Sequence, residues 1–160
     1  SIDEKLGGKI ILEFAELPNK TVLSDAILDM REFNTPIELN EFCKVIDAPV
    51  IVREDLTNKK LYGYTVVDSL KAVLDLSPIE MVTLYGLTSA RALIFVGSHR
   101  GRSSLVALKV TNIRPALVIL HGSEKIDDLA KRIGELEGIP IGISKIKEKE
   151  DLLKALKSNF

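Results

Sequence analysis

A chain of 160 residues that sets 22 basic against 23 acidic side chains, for a formal charge of −1, has no global field to draw it to nucleic acid. Hydrophobic residues make up 46%, enough for a buried core without disulfides or metal. The single cysteine, Cys43, has no internal partner and reads as buried packing, and two histidines far apart give a zinc site no support. No apolar run approaches the roughly 18–20 residues of a membrane span, and the first residues lack a basic-then-apolar signal pattern, so a cytoplasmic protein without membrane contact is expected. The abrupt start SIDEKLGG, with no methionine, suggests a piece of a longer polypeptide whose partner domain lies outside this chain.

Taken in chain order, residues 9–14 (KIILEF) form a β-branched, apolar run, a strand. Over residues 21–30, Val22, Leu23, Ala26, Ile27 and Met30 recur at helical spacing. Asn34-Thr35-Pro36-Ile37-Glu38 reads as a helix start, with Thr35 capping, Pro36 in the first turn and Glu38 closing a capping box, the helix running to about Ile46. Pro49 then precedes an apolar strand at residues 50–52. A polar turn follows at 57–60, and a short strand at 62–66 leads into a helix over about 67–74. Ser77-Pro78-Ile79-Glu80 repeats the capping signature 42 residues after the first, which suggests either a duplicated helix-strand unit or the recurrence of a common helix opening.

From there the alternation is regular: strand 92–96 (ALIFV), helix about 102–112, strand 116–120 (ALVIL), helix about 124–136, strand 140–144 (IPIGIS) and helix about 148–158. Continuous apolar strands separated by amphipathic helices imply an α/β layered fold with a mainly parallel central sheet and helices on both faces. Pro49, Pro115 and Pro140 stand at strand entrances, where a missing donor costs least. The chain reads as a single α/β domain over 1–160, with a division into a helix-strand lobe at 1–60 and an α/β lobe at 61–160 as the alternative.

Ligands of open parallel sheets bind beyond the carboxyl ends of the strands, where strand order reverses. Three turns fall there. In the first, Gly97 and Gly101 allow a tight turn and close approach, and Arg100 and Arg102 supply fixed positive charge. Ser98, Ser103 and Ser104 add hydroxyls beside the free N–H groups of a new helix. That set suits a phosphate, although it matches neither a Walker loop nor a dinucleotide fingerprint, and an ordinary strand-to-helix turn with solvated arginines is the plainer reading. His99 and His121 are each ligand groups or structural histidines. In the second turn, His121-Gly122-Ser123, Ser123 is expected to cap the next helix, with Glu124 and Asp127 in its first turn. The third turn begins at Ser144 and runs to Lys147. Arg53-Glu54-Asp55 reads as a solvated charge cluster, and Tyr62-Gly63-Tyr64 as packing. No nucleophile, base and acid are set together by spacing.

The segment from residue 93 to 144, LIFVGSHRGRSSL onward through LVILHGSEK and GIPIGIS, resembles the DRTGG domain, over residues of about 90–145. That family's pattern is a strand ending in G-D-R, a helix, a strand ending in T-G-G, a helix, and a glycine-(I/L)-P strand. Gly97-Ser98-His99-Arg100 falls at the first motif, His121-Gly122-Ser123 at the second, and Gly138-Ile139-Pro140 matches the third directly. Here Ser98 replaces the acid, the arginine is displaced, and His121 and Ser123 replace Thr and Gly. The resemblance implies a non-catalytic, dimer-forming regulatory module, such as the C-terminal, effector part of a prokaryotic or archaeal transcriptional regulator with its DNA-binding domain elsewhere. The leading expectation is therefore a homodimeric domain, without direct nucleic-acid binding, that senses a small anionic ligand, phosphorylated or nucleotide. Its expected ligand-binding residues are Gly97, Ser98, His99, Arg100, Gly101, Arg102, Ser103, His121, Gly122, Ser123 and Ser144, and the sequence leaves any cofactor unknown. The alternatives are a small phosphate-handling enzyme using Arg100, Arg102 and His121, and a purely structural dimerisation domain.

Overall fold

The computed structural model describes residues 25–160. Six strands form one mixed sheet: β1 (Ile27–Glu38), β2 (Val50–Val52), β3 (Lys60–Asp68), β4 (Ala92–Val96), β5 (Leu117–His121) and β6 (Ile141–Ile143), in the spatial order β1-β3-β4-β5-β6-β2. The central four run parallel, and β1 and β2 flank them antiparallel. The helices are α1 (Leu39–Val45), α2 (Ser69–Asp75), α3 (Pro78–Met81), α4 (Arg102–Val110), α5 (Asp128–Glu137) and α6 (Lys149–Asn159).

The chain steps from β3 to β6 always in one direction. Right-handed crossovers therefore put α2 to α5 on one face, leaving α1 and α6 for the other. Strand alternation fills both sides: Val67, Leu93, Phe95, Val118 and Leu120 pack with Leu105, Leu108 and Ala130 on the first face. Val66, Ile94, Leu117 and Ile119 pack with Phe42, Leu152 and Leu156 on the second. Residues buried on both faces explain why these strands read as continuous apolar runs. Because the parallel strands are ordered as in the chain, no reversal of order occurs among them. The expected crevice at a strand-order reversal is absent from this part of the sheet.

The N-terminal part departs from expectation. The strand expected at 9–14 lies outside the described residues. Asp25 and Ala26 are helical, but Ile27 onward is strand, and of the helix expected from Thr35 to about Ile46 the first residues, up to Glu38, are instead the end of β1. Pairing with β3 at both ends, from Ile27 opposite Val67 through Glu32 opposite Gly63 and again from Ile37 opposite Leu61 to Glu38 opposite Lys60, overrides the local signals. Pro36 is tolerated because β1 is an edge strand and its register shifts between Glu32 and Ile37, where the ladder is already broken. Helix α1 starts three residues later than expected, its first N–H taken by the Lys59 carbonyl at 3.0 Å rather than by a capping side chain. The second capping box forms as expected, with Ser77 and Glu80 bonding reciprocally. The first does not, and the suggested repeat goes with it.

Cys43 is buried, and burial pushes its thiol up to about 11, which leaves it unreactive near neutral pH. Tyr64 joins Phe33, Phe42 and the final residue, Phe160, in an aromatic cluster with ring centroids 5.1–6.5 Å apart, and Tyr62 is exposed. Arg53 donates Nε and Nη2, one edge of its guanidinium, to the two Asp55 carboxylate oxygens, and Nη1 to the Glu135 carbonyl at 2.9 Å, so the charge cluster ties the end of β2 to α5.

Candidate functional site

Because β3 to β6 are parallel and in register, Asp68, Val96, His121 and Ile143 all end at one edge. The three turns therefore leave the sheet side by side. Gly97 and Ser98 both donate their backbone N–H to the His121 carbonyl, at 3.1 and 3.2 Å. A Cβ placed on Gly122 would sit 3.6 Å from the Gly97 Cα, so the β4 and β5 turns are in contact.

The expected ligand residues nevertheless divide between two cavities, except His121, which lines neither. The first, of about 360 Å³, opens between α2 and α4 and is lined by the whole stretch from Gly97 to Ser104, by Ser69, Leu70, Val73 and Leu74 of α2, and by Asp127. Helix α4 begins after Gly101, whose φ of +85° only glycine adopts without strain, and no side chain caps it. A helix start of this kind presents backbone donors and the positive end of the helix dipole. Ser98 is buried and His99 is exposed on this rim. Beneath them the Ser69 and Ser104 hydroxyls, both buried, lie 2.8 Å apart.

Arg100 is exposed, and its carbonyl accepts the Asp127 N–H at 2.8 Å. Arg102, with 63% of its side chain exposed, reaches both Asp127 carboxylate oxygens at 3.4 Å. Those bonds are long, so the guanidinium is tethered rather than locked. Burial pushes the Asp127 carboxyl up, but the Ala130 N–H, the Arg102 guanidinium and the Leu129 N–H outweigh it and hold the group below its ordinary value. Asp127, not Ser123, is thus the cap of α5. Helix α5 starts about four residues later than the sequence suggested because Ser123 turns its hydroxyl to the Lys125 carbonyl at 2.6 Å instead.

The second cavity, of about 630 Å³, is lined by Gly122, Ser123, Ser144, Ile51 and residues 145–147. Its polar side chains are largely engaged in fixing the backbone. Ser144 donates to the Ile46 carbonyl at 2.6 Å and accepts from the Ile146 N–H at 3.3 Å. His121 is only 4% exposed, and its Nε2 bonds the Ile146 carbonyl at 2.8 Å, while Nδ1 is buried without a partner. His121 follows Ile119 on the α1 and α6 face of the sheet, whereas Arg100 and Arg102 line the cavity on the other. The trio Arg100, Arg102 and His121 is therefore not gathered at one point. Among the described residues no group of three or more His, Cys, Asp or Glu could hold a metal ion.

Sequence reasoning did not single out Ser69, Leu70, Leu74 or Asp127 as cavity residues. Ser69 became visible only once β3 was extended from residue 66 to Asp68, which moves the end of that strand to the same edge as the other turns. Asp127 was read as a first-turn acid, four residues too far into the helix.

No family model matches the chain, and no solved structure does. Among curated proteins it is similar to an uncharacterised HTH-type transcriptional regulator of Archaeoglobus fulgidus, 42% identical over 137 residues, which cover 84% of this chain and 58% of that protein. It is also similar to an uncharacterised HTH-type transcriptional regulator of Methanocaldococcus jannaschii, 39% identical over 157 residues, 97% of this chain and 64% of that protein. The chain thus spans about three-fifths of the length of the curated relatives it matches, and those relatives are named transcriptional regulators.

Proposed function

We propose that this chain is the signal-receiving part of a transcriptional regulator, a non-catalytic homodimer that binds a small anionic ligand, phosphorylated or nucleotide, in the cavity between α2 and α4. The carrying observation is the identity of about two-fifths, along 84% and 97% of the chain, with proteins named HTH-type transcriptional regulators. Those relatives are longer than the matched part, which leaves them length for a DNA-binding domain and supports a sensing role for the part shared with this chain. The resemblance of residues 90–145 to DRTGG modules supports the same division of labour.

The ligand class is supported by the turn itself. The uncapped start of α4, the exposed Arg100, the loosely tethered Arg102 and the hydroxyls of Ser98 and Ser103 border one opening. An anion there would take up backbone donors that no side chain now caps, and would compete with Asp127 for Arg102.

A thermal-shift screen of nucleotides and sugar phosphates tests this. A ligand at about 100 times its Kd adds about 2.7 kcal/mol, or roughly 5–10 °C in Tm for a chain of this size. The Arg100→Ala/Arg102→Ala variant should lose that shift, since each charge-assisted contact contributes about 1.5–3 kcal/mol, tenfold or more in affinity. Its Tm without ligand should barely move, because exposed charges add little stability. A wild type that no anion stabilises, or a variant stabilised equally, would sink the proposal.

A further inference from the structure

Among the described residues, five of the nine exposed large apolar side chains lie on or beside three neighbouring helices, while Ile51, Tyr62, Leu87 and Leu136 are scattered elsewhere. Leu70 and Leu74 on α2 are 66% and 70% exposed, Ile79 on α3 is 84%, Val82 just after it 52%, and Val110 at the end of α4 75%. These do not sit on isolated surface. Leu70 and Leu74 wall the cavity of the basic turn, and Val110 borders a groove of about 340 Å³ with Pro78 and Met81. Val73 and Ser103 line both hollows, so the two are continuous.

We infer that this face, formed by α2, α3 and α4, is where a second copy of the chain docks. The area argues for it: a fully exposed aliphatic side chain offers about 60–120 Å² by its transfer free energy, so the five together expose about 200–400 Å². That is about two-fifths to four-fifths of the apolar share of the roughly 800 Å² that each partner contributes to a standard interface. The border of the face carries both signs, with Lys71 on α2 and Glu80 on α3. A two-fold pairing of identical faces can therefore set Lys71 of one copy against Glu80 of the other.

Docking of a second copy over Leu70 and Leu74 closes the open wall of the cavity below Arg100 and Arg102. The anion is then enclosed between the copies, and by linkage its binding tightens the dimer. This coupling rests on the proposed anion site; the interface itself rests on the apolar face alone.

Sedimentation equilibrium of the chain provides the test. The wild type should sediment at twice the 17.7 kDa protomer mass at micromolar concentration. Leu70→Glu/Leu74→Glu should return it to a single protomer, as should Ile79→Glu on the neighbouring helix. Both exchange exposed side chains and should leave the circular dichroism spectrum unchanged. A wild type that stays monomeric to about 100 μM, well above the range of stable association, overturns the inference, as does a variant that remains dimeric. A fall in Tm without any change in mass also overturns it, because the face would then be covered by residues of the same chain. The Arg100→Ala/Arg102→Ala variant should remain dimeric. If it does, and no anion raises the wild-type Tm, the ligand reading fails while the interface stands.

Discussion

Replacing Arg91 by alanine is expected to destabilise the chain by about 3–5 kcal/mol, measured by urea unfolding, because it removes the buried partner of a part-buried ion pair and the donor of several buried acceptors. Arg91 is 0% exposed at the start of β4. Its guanidinium pairs with Glu32 of β1, donates to the Tyr64 carbonyl at 3.1 Å and the Thr65 hydroxyl at 3.0 Å, and reaches the Thr88 carbonyl at 2.9 Å. One side chain therefore binds β1, β3 and the loop before β4. Without it, several buried acceptors lose their donors, each at about 1–3 kcal/mol. Arg91→Lys keeps the charge but cannot span all four partners, so it should lose about half as much. With total stabilities commonly about 5–15 kcal/mol, the alanine variant would stand near the edge of folding. An alanine variant within about 0.5 kcal/mol of wild type, the range of ordinary surface substitutions, would show that the network holds nothing together.

Gly101→Ala should cost about 2–4 kcal/mol and carry the candidate site with it. Two effects add there: a left-handed backbone at φ +85°, a strain of about 1–3 kcal/mol for a non-glycine residue, and a Cβ placed 2.6 Å from the Leu120 Cδ1 in a packed core. Relief requires the start of α4 to lift from β5, which displaces the N–H groups on which anion binding depends. Gly97→Ala is the internal control. Its φ of +76° imposes similar strain, but its Cβ meets nothing within 4 Å, so the loss should be only about 1 kcal/mol. Equal losses in the two variants would show that close packing of α4 on β5 is not the cause.

What was legible in the sequence divides along a physical line. Strands β4, β5 and β6 are buried on both faces, so their apolar runs announced them almost to the residue, and the turns at Gly97 and His121 followed from where those runs stop. β1 was missed because it is a half-buried edge strand whose pattern is broken by a register shift and a proline, and its apolar spacing near Ile27 fits a helix equally well. Arg91 and Glu32 stand 59 positions apart and meet only through strand order, so no local pattern couples them. At the candidate site, the turn residues were legible and their division between two cavities was not. Which face His121 occupies depends on strand parity counted from an end that the sequence places only within a residue, and a one-residue shift reverses it.

The most direct test of the central claim, that the start of α4 is an anion site, is an amide-resolved nuclear magnetic resonance titration of the chain with nucleotides and sugar phosphates. The account predicts that the largest shift changes fall on the backbone amides of Arg102, Ser103 and Ser104, with smaller ones at Gly97 and Ser69, and that Arg100→Ala/Arg102→Ala removes them. Saturable changes centred instead on Gly122, Ser144 and Lys145 at the second cavity, or no saturable change with any anion, would contradict it.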